Sequence, residues 1–262
     1  EILSDVPIEV MRADGTLEQV TFGAGDYARH ADAEYLNPDA ARAGRGTVFD
    51  GRVNLSLNVT DGNSENERLY GELELKARAQ HHRYRLGARG TRASERDTLT
   101  ASNWLADGQY DRFLGDRRFA YARTSFQNDR FRDLRLRSTL GAGLGYQIID
   151  TPDTQLSIQA GPHYVVEDRY GREDESYGAA GWGIRYAQWL WSRRLQIFHE
   201  QDGFWSLEET DDVVVRTRTG LRLPVTGELH ATAQLNLDYD NTPALGRTST
   251  DRTWLLGLGY TF

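Results

Sequence analysis

Residues 228–240 read "ELHATAQLNLDYD". Leu229, Ala231, Ala233, Leu235, Leu237 and Tyr239 fall on one side of an extended chain, and His230, Thr232, Gln234, Asn236, Asp238 and Asp240 on the other. Successive side chains of a strand point to opposite faces, so alternation this long predicts a strand, not a helix. "VNLSLNVT" repeats the pattern, with Val53, Leu55, Leu57 and Val59 opposite Asn54, Ser56, Asn58 and Thr60. "LYGELELKARA" sets Leu69, Leu73, Leu75, Ala77 and Ala79 against Tyr70, Glu72, Glu74, Lys76 and Arg78. In "LRLRSTLGAGLGYQII" the two faces begin with Leu134 and Leu136 on one side and Arg135 and Arg137 on the other.

Twelve such segments are predicted, near 46–60, 68–79, 82–93, 103–113, 118–128, 133–149, 154–167, 177–190, 194–207, 212–223, 228–240 and 252–262. In "LQIFHEQDGFWSLEE" the alternation slips near His199, which suggests a bulge. In "FAYARTSFQ" the frame rests on Arg123 alone. The connections sort into two kinds. "QH", "GDRR", "DTPD", "SRR" and "VTGE" are short, whereas "DGNSENE", "TRASERDTLTA", "DRFRD", "DRYGREDES", "EETDD" and "NTPALGRTSTD" are mostly longer and charged. Short turns on one side, long polar loops on the other and an even strand number predict an all-β fold. The expected architecture is a twelve-stranded antiparallel up-and-down transmembrane β-barrel at residues 46–262, in the bacterial outer membrane. A soluble lipocalin-like barrel would need its apolar face inside and its charged face outside.

Bulk properties fit this reading. The chain has 262 residues, no Cys and one Met, so neither a disulfide framework nor a cysteine-based zinc site is available. No run of 18 apolar residues occurs, so no transmembrane helix is predicted. A barrel hides its lipid-facing band in a low average hydropathy, here −0.64. The opening "EILSDVPIEV" lacks the basic start and apolar stretch of a signal peptide, so the chain is either cytosolic or numbered from a processed end. A formal charge of −8 argues against nucleic acid as a partner.

Aromatic residues are expected at the two interfaces: Trp104 and Trp254 on the long-loop side, and Tyr146, Trp189, Trp191 and Tyr260 near the short turns. The last strand, "TWLLGLGYTF", places Trp254, Leu256, Leu258, Tyr260 and Phe262 outward. It looks like the terminal strand of bacterial outer-membrane proteins, in which Tyr260 and Phe262 would form part of the signal read by the assembly machinery through strand addition.

The order of "YLNPDA" (35–40), "FDGRVNLSLNVTDGNSE" with its Gly62-Asn63 loop, "QYDRFLGDRRFAYARTSFQNDRF", "GLGYQIID" and "IQAGPHY" resembles a bacterial family described as salt-induced outer membrane proteins, of unknown function. The resemblance runs from about residue 35 to the end. It implies location and architecture, and carries no catalytic residues.

Function is sought in the lumen. Arg83, Arg85, Arg89, Arg123, Arg135, Arg137, Arg185, Arg216, Arg218 and Arg222 are expected inward, with Glu72, Glu74, Asp107, Asp111, Glu167, Asp238 and Asp240. Two readings stand side by side, a cross-strand salt-bridge lattice and a polar path for solute. Twelve strands spaced about 4.8 Å and tilted about 40° give a backbone radius on the order of 12 Å, which long arginines narrow sharply. Gly141, Gly143, Gly145, Gly161, Gly181 and Gly183 leave a bare inner wall. Either the wall bends there, or residues 1–45 enter the barrel and lie against it; a periplasmic place for 1–45 is the alternative. Within them "IEVMRADGTLEQVTF" reads as a hairpin around Asp14-Gly15.

His163 and Glu167 share a strand face and His230 faces inward elsewhere, but no Ser-His-Asp order or metal spacing can be drawn. No catalytic, cofactor-binding or metal residue is therefore assigned, and no cofactor is expected. The acidic loops "DRYGREDES" and "LEETDD" are candidates for divalent cations near lipopolysaccharide. Three function classes follow: a structural or stress-related envelope barrel, a small-solute channel, and a lipid-modifying enzyme. The expected partners are outer-membrane lipid and lipopolysaccharide, the assembly machinery during biogenesis, and an unidentified protein in the first class.

Overall fold

In the computed structural model, residues 8–11, 17–20, 46–60, 66–170, 173–209, 211–243 and 248–262 are described. Strands β1 (Ile8–Met11) and β2 (Leu17–Val20) pair antiparallel. The Asp14-Gly15 turn expected between them, the "YLNPDA" motif and the Gly62-Asn63 loop lie outside the described residues. Twelve strands then close a barrel. They are β3 (Val48–Thr60), β4 (Asn66–Arg78), β5 (His82–Glu95), β6 (Thr98–Phe113), β7 (Arg118–Asp129), β8 (Leu134–Asp150), β9 (Thr154–Arg169), β10 (Glu175–Leu190), β11 (Leu195–Ser206), β12 (Val213–Thr226), β13 (Leu229–Asp240) and β14 (Thr250–Thr261). Each pairs antiparallel with its neighbours in sequence, and β14 closes on β3.

Burial is inverted relative to a soluble protein. Leu140 and Leu144 on the outer face are 65% and 66% exposed, whereas Asp111 and Glu167 inside are 0% and 1% exposed. An apolar surface running right round a barrel has no stable place in water, and a closed sheet leaves no unpaired edge in lipid. The chain is an outer-membrane-type barrel, with polar groups inside because hydrocarbon is outside.

Several strands run past the segments expected from alternation. Between β5 and β6 the expected loop "TRASERDTLTA" shrinks to a turn at Arg96 and Asp97, whose φ angles of 45° and 61° suit a tight hairpin. About 9–11 residues suffice to cross the bilayer, and these strands have 14 and 16. Beyond the hydrocarbon an outward residue has no reason to be apolar, so the alternating signal fades before the strand ends.

No bulge interrupts β11 at His199; its pairing with β10 and β12 runs through without a register shift. The apparent slip arises because Phe198 and Phe204 face inward, 1% and 3% exposed, while His199 faces out and bonds Thr219. A bulge does occur between Leu134 and Leu136 in β8. Because one extra residue flips every side chain beyond it, Leu134 turns in and is buried while Arg135 turns out.

Closure is uneven. The β14–β3 register covers only Leu258 to Thr261 against Leu55 to Arg52. Reciprocal backbone bonds between Gly51 and Phe262 (2.7 and 2.9 Å) extend it toward the turn side. The Phe262 ring fills the place where any side chain at residue 51 would sit, and stacks on Tyr260 with centroids 6.2 Å apart.

The charged lumen as candidate functional site

Inward positions of neighbouring strands share a level, and at mid-depth these positions are charged. Arg218 of β12 pairs with Glu200 of β11 next door, and also reaches Glu72 and Glu74 of β4 (2.8 Å to Glu74). Strand β4 lies four places around the barrel from β12. Arg123 of β7 pairs with Asp202 of β11, again four places away, and Arg185 adds a two-pronged contact to Asp202 (2.7 and 2.8 Å). Arg85 of β5 bonds Gln159 of β9 (3.4 Å) and Gln109 of β6 bonds the same residue (2.7 Å). Ties of this length reach across the lumen rather than along its wall.

Toward the loops the interior is packed. Glu167 accepts from Arg137 (2.6 Å), Arg169 (2.9 Å) and the Tyr177 hydroxyl (2.8 Å). Arg137 also reaches Asp240, five strands away (3.4 Å). Beside this cluster Val165, Tyr177, Ala179, Phe204 and Val214 form a small apolar core inside the barrel. Polar groups this deeply buried need partners, and Glu167 is fully supplied.

Toward the short turns Phe113, Phe119 and Tyr121 form a second buried apolar cluster, and beside it the interior is open. A cavity of about 420 Å³ is walled by residues from most strands and reaches the turns at Pro152 and Arg193. A second, of about 60 Å³, lies nearer the loops beside Arg216 and Asp238, which face each other across β12 and β13. Arg89 touches both. Asp107 lines the larger cavity.

The glycine wall is occupied by barrel side chains. The His163 ring lies where a side chain at Gly141 or Gly181 would sit, and the Phe119 ring does the same to Gly145. Gly143 and Gly161 allow β8 and β9 to meet backbone against backbone. These glycines make room for rings and close strand contact.

The expected site residues thus separate. Arg83, Arg85, Arg123, Arg137, Arg185, Arg218, Glu72, Glu74 and Asp107 line the lumen or its cavity. Arg135 does not join them: the β8 bulge leaves its side chain 64% exposed, paired with Asp168 at 3.3 Å. Among the aromatics, Trp104, Trp191 and Trp254 are exposed, as are Tyr260 and Phe262. Trp189 departs from the expected girdle: it shares the face of Arg185 and lines the cavity mouth. Glu200 and Asp202 escape detection in the sequence, because the two inward phenylalanines of β11 disguise its polar face. The only signal is a frame carried straight through Phe198, Glu200, Asp202 and Phe204. An outer cluster of Tyr84, Tyr110 and His82 is visible only from the register that puts Tyr84 opposite Tyr110.

The inward histidines His163 and His230 are tied into structure. His163 meets Tyr121 edge-on, and His230 bonds Asn54 (3.0 Å) beside the β14–β3 seam. Among the described residues, no group of three His, Cys, Asp or Glu could hold a metal ion.

Over 99% of its length the chain is 22% identical to the uncharacterized protein YdiY of Escherichia coli K12, itself covered to 99%. Similar solved structures include the translocator domain of the autotransporter NalP from Neisseria meningitidis, 13% identical with a TM-score of 0.45. That match covers 91% of this chain and 98% of the other. The NanC porin is 10% identical with a TM-score of 0.49, over 81% of this chain and 99% of the porin. Residues 53–262 match the family model described as "Protein of unknown function, DUF481", and the chain belongs to that family.

Proposed function

We propose that this protein is an envelope barrel whose lumen is closed by its own strands, not an open diffusion pore. The single observation behind this reading is the set of side-chain ties between strands four and five places apart, Arg218 to Glu72 and Glu74, Arg123 to Asp202, and Arg137 to Asp240. Each of these Arg–carboxylate ties runs as a chord through the interior and interrupts the water column where it crosses. Closure of this kind does not require residues 1–45.

Planar-bilayer recording tests it. The full chain is expected to give no discrete conductance steps, and deletion of residues 1–45 is expected to change nothing. Replacing Arg123 and Arg218 together by Ala cuts the mid-depth ties and should introduce resolvable steps. Steady channels from the unaltered protein would overturn the proposal. They would favour the second reading, a small-solute channel, which the 420 Å³ cavity entering from the turn side supports. The stress-related part of the role rests on the family resemblance; a strain lacking the gene should then grow more slowly than its parent at high salt.

A further inference from the structure

The turn-side cavity has a charge imbalance that closure does not require. Its wall carries nine Arg or Lys against six Asp or Glu, and Asp111 and Asp153, which pair with three of those cations from outside the wall, bring the carboxylates to eight. Three of its arginines are under-matched. Arg83 and its strand neighbour Arg85 share one carboxylate, Asp111 (2.6 and 3.1 Å). Arg222 makes no ion pair within 4 Å among the described residues. Its guanidinium stacks on the Phe198 ring, 3.6 Å from the centroid, and donates to Gln196 (3.0 Å), while its Nε has no partner. One nitrogen of Arg83 is likewise without a partner, its group lying 5.1 and 4.9 Å from the rings of Phe113 and Phe119. Both residues are more than nine-tenths buried, Arg222 at 5% exposure and Arg83 at 8%.

A guanidinium taken from water normally faces a carboxylate or phosphate, because the charge-assisted bond offsets desolvation. Here the Phe198 ring holds the Arg222 plane in place and no carboxylate of the described residues pairs with it, while Arg83 and Arg85 divide one carboxylate between them. An unmatched cation on the wall of a cavity raises the local concentration of anions there. The cavity also falls within the usual volume range of small-ligand sites, roughly 300–1,000 Å³.

We propose that this vestibule is a binding site for a small, water-soluble, multivalent oxyanion, bearing carboxylate or phosphate groups, that enters from the short-turn side. Arg222 and Arg83 supply the unmatched charge, and Trp189 stands at the mouth. This goes beyond the closed-lumen reading and does not depend on it: conductance tests closure and binding tests the vestibule, so either can fail alone.

The test is calorimetric titration of the full chain, folded in zwitterionic micelles at low ionic strength, with citrate, inorganic phosphate and, as a neutral control, glycerol. Saturable one-to-one binding of citrate or phosphate, weakening as salt is added and absent for glycerol, is expected. Arg222→Gln should weaken it at least tenfold, whereas Arg222→Lys, which keeps the charge, should lose less. Heat-modifiable migration verifies that each variant is folded; if Arg222→Gln is not, Arg83→Gln takes its place with the same expected loss. The change in tryptophan emission on anion binding should shrink in Trp189→Phe, which locates the site. No saturable heat with either anion would overturn the proposal, and so would undiminished binding by the folded glutamine variant.

Discussion

The two halves of the lumen are built by the same twelve strands and the same alternation, yet they differ in kind. On the loop side Glu167 gathers Arg137, Arg169 and Tyr177, an apolar cluster from β9, β10, β11 and β12 packs beside it, and a cavity of only about 60 Å³ remains. On the turn side the strands enclose a cavity with more cations than anions. The difference lies in side-chain volume and charge balance, not in backbone. A barrel of fixed strand number can thus be solid at one end and receptive at the other.

Removal of one carboxylate from each half breaks the comparison most directly. Glu167→Ala leaves Arg137, 3% exposed, buried beside a lost partner, and should cost about 3–5 kcal/mol in urea unfolding of the barrel in micelles. Glu74→Ala leaves Arg52 about a quarter exposed to water and Arg218 still held by Glu72 and Glu200, and should cost only about 1 kcal/mol. Equal losses would mean that the two halves are equally dry.

A smaller effect is expected where the glycine wall meets His163. Gly181→Ala forces the ring aside and should cost about 1–3 kcal/mol. Adding His163→Ala should return part of that loss, so the two changes couple favourably in a double-mutant cycle. Independent losses that simply add would show that the glycines serve curvature and not the ring.

The least consequence belongs to the outside of the turn side. Arg193 and Asp153 pair at 3.1 Å with both side chains more than half exposed. Arg193→Ala should change unfolding stability by less than about 1 kcal/mol, a screened surface pair being weak. A larger drop would mean that Arg193 acts from the cavity wall it also touches.

Much of this architecture is legible along the chain. Leu229 to Asp240 and Leu69 to Arg78 declare strand, face and environment residue by residue, since the signal is local and has a period of two. It fails where that premise fails. At Leu134 one additional residue inverted the frame, and at Phe198 and Phe204 apolar rings sat on the polar side. At Trp189 proximity to a turn suggested an interface, while the strand's parity sent the ring into the lumen mouth.

From its amino acids alone the chain determined twelve antiparallel strands with grease outside and charge inside, because hydrocarbon imposes that choice on every membrane-crossing segment. Tertiary structure alone decided which charges meet: Arg218 with Glu72, 146 positions earlier, or Arg137 with Asp240 across five strands. Those encounters depend on strand stagger and on closure of the ring, properties of the whole barrel that no single segment carries.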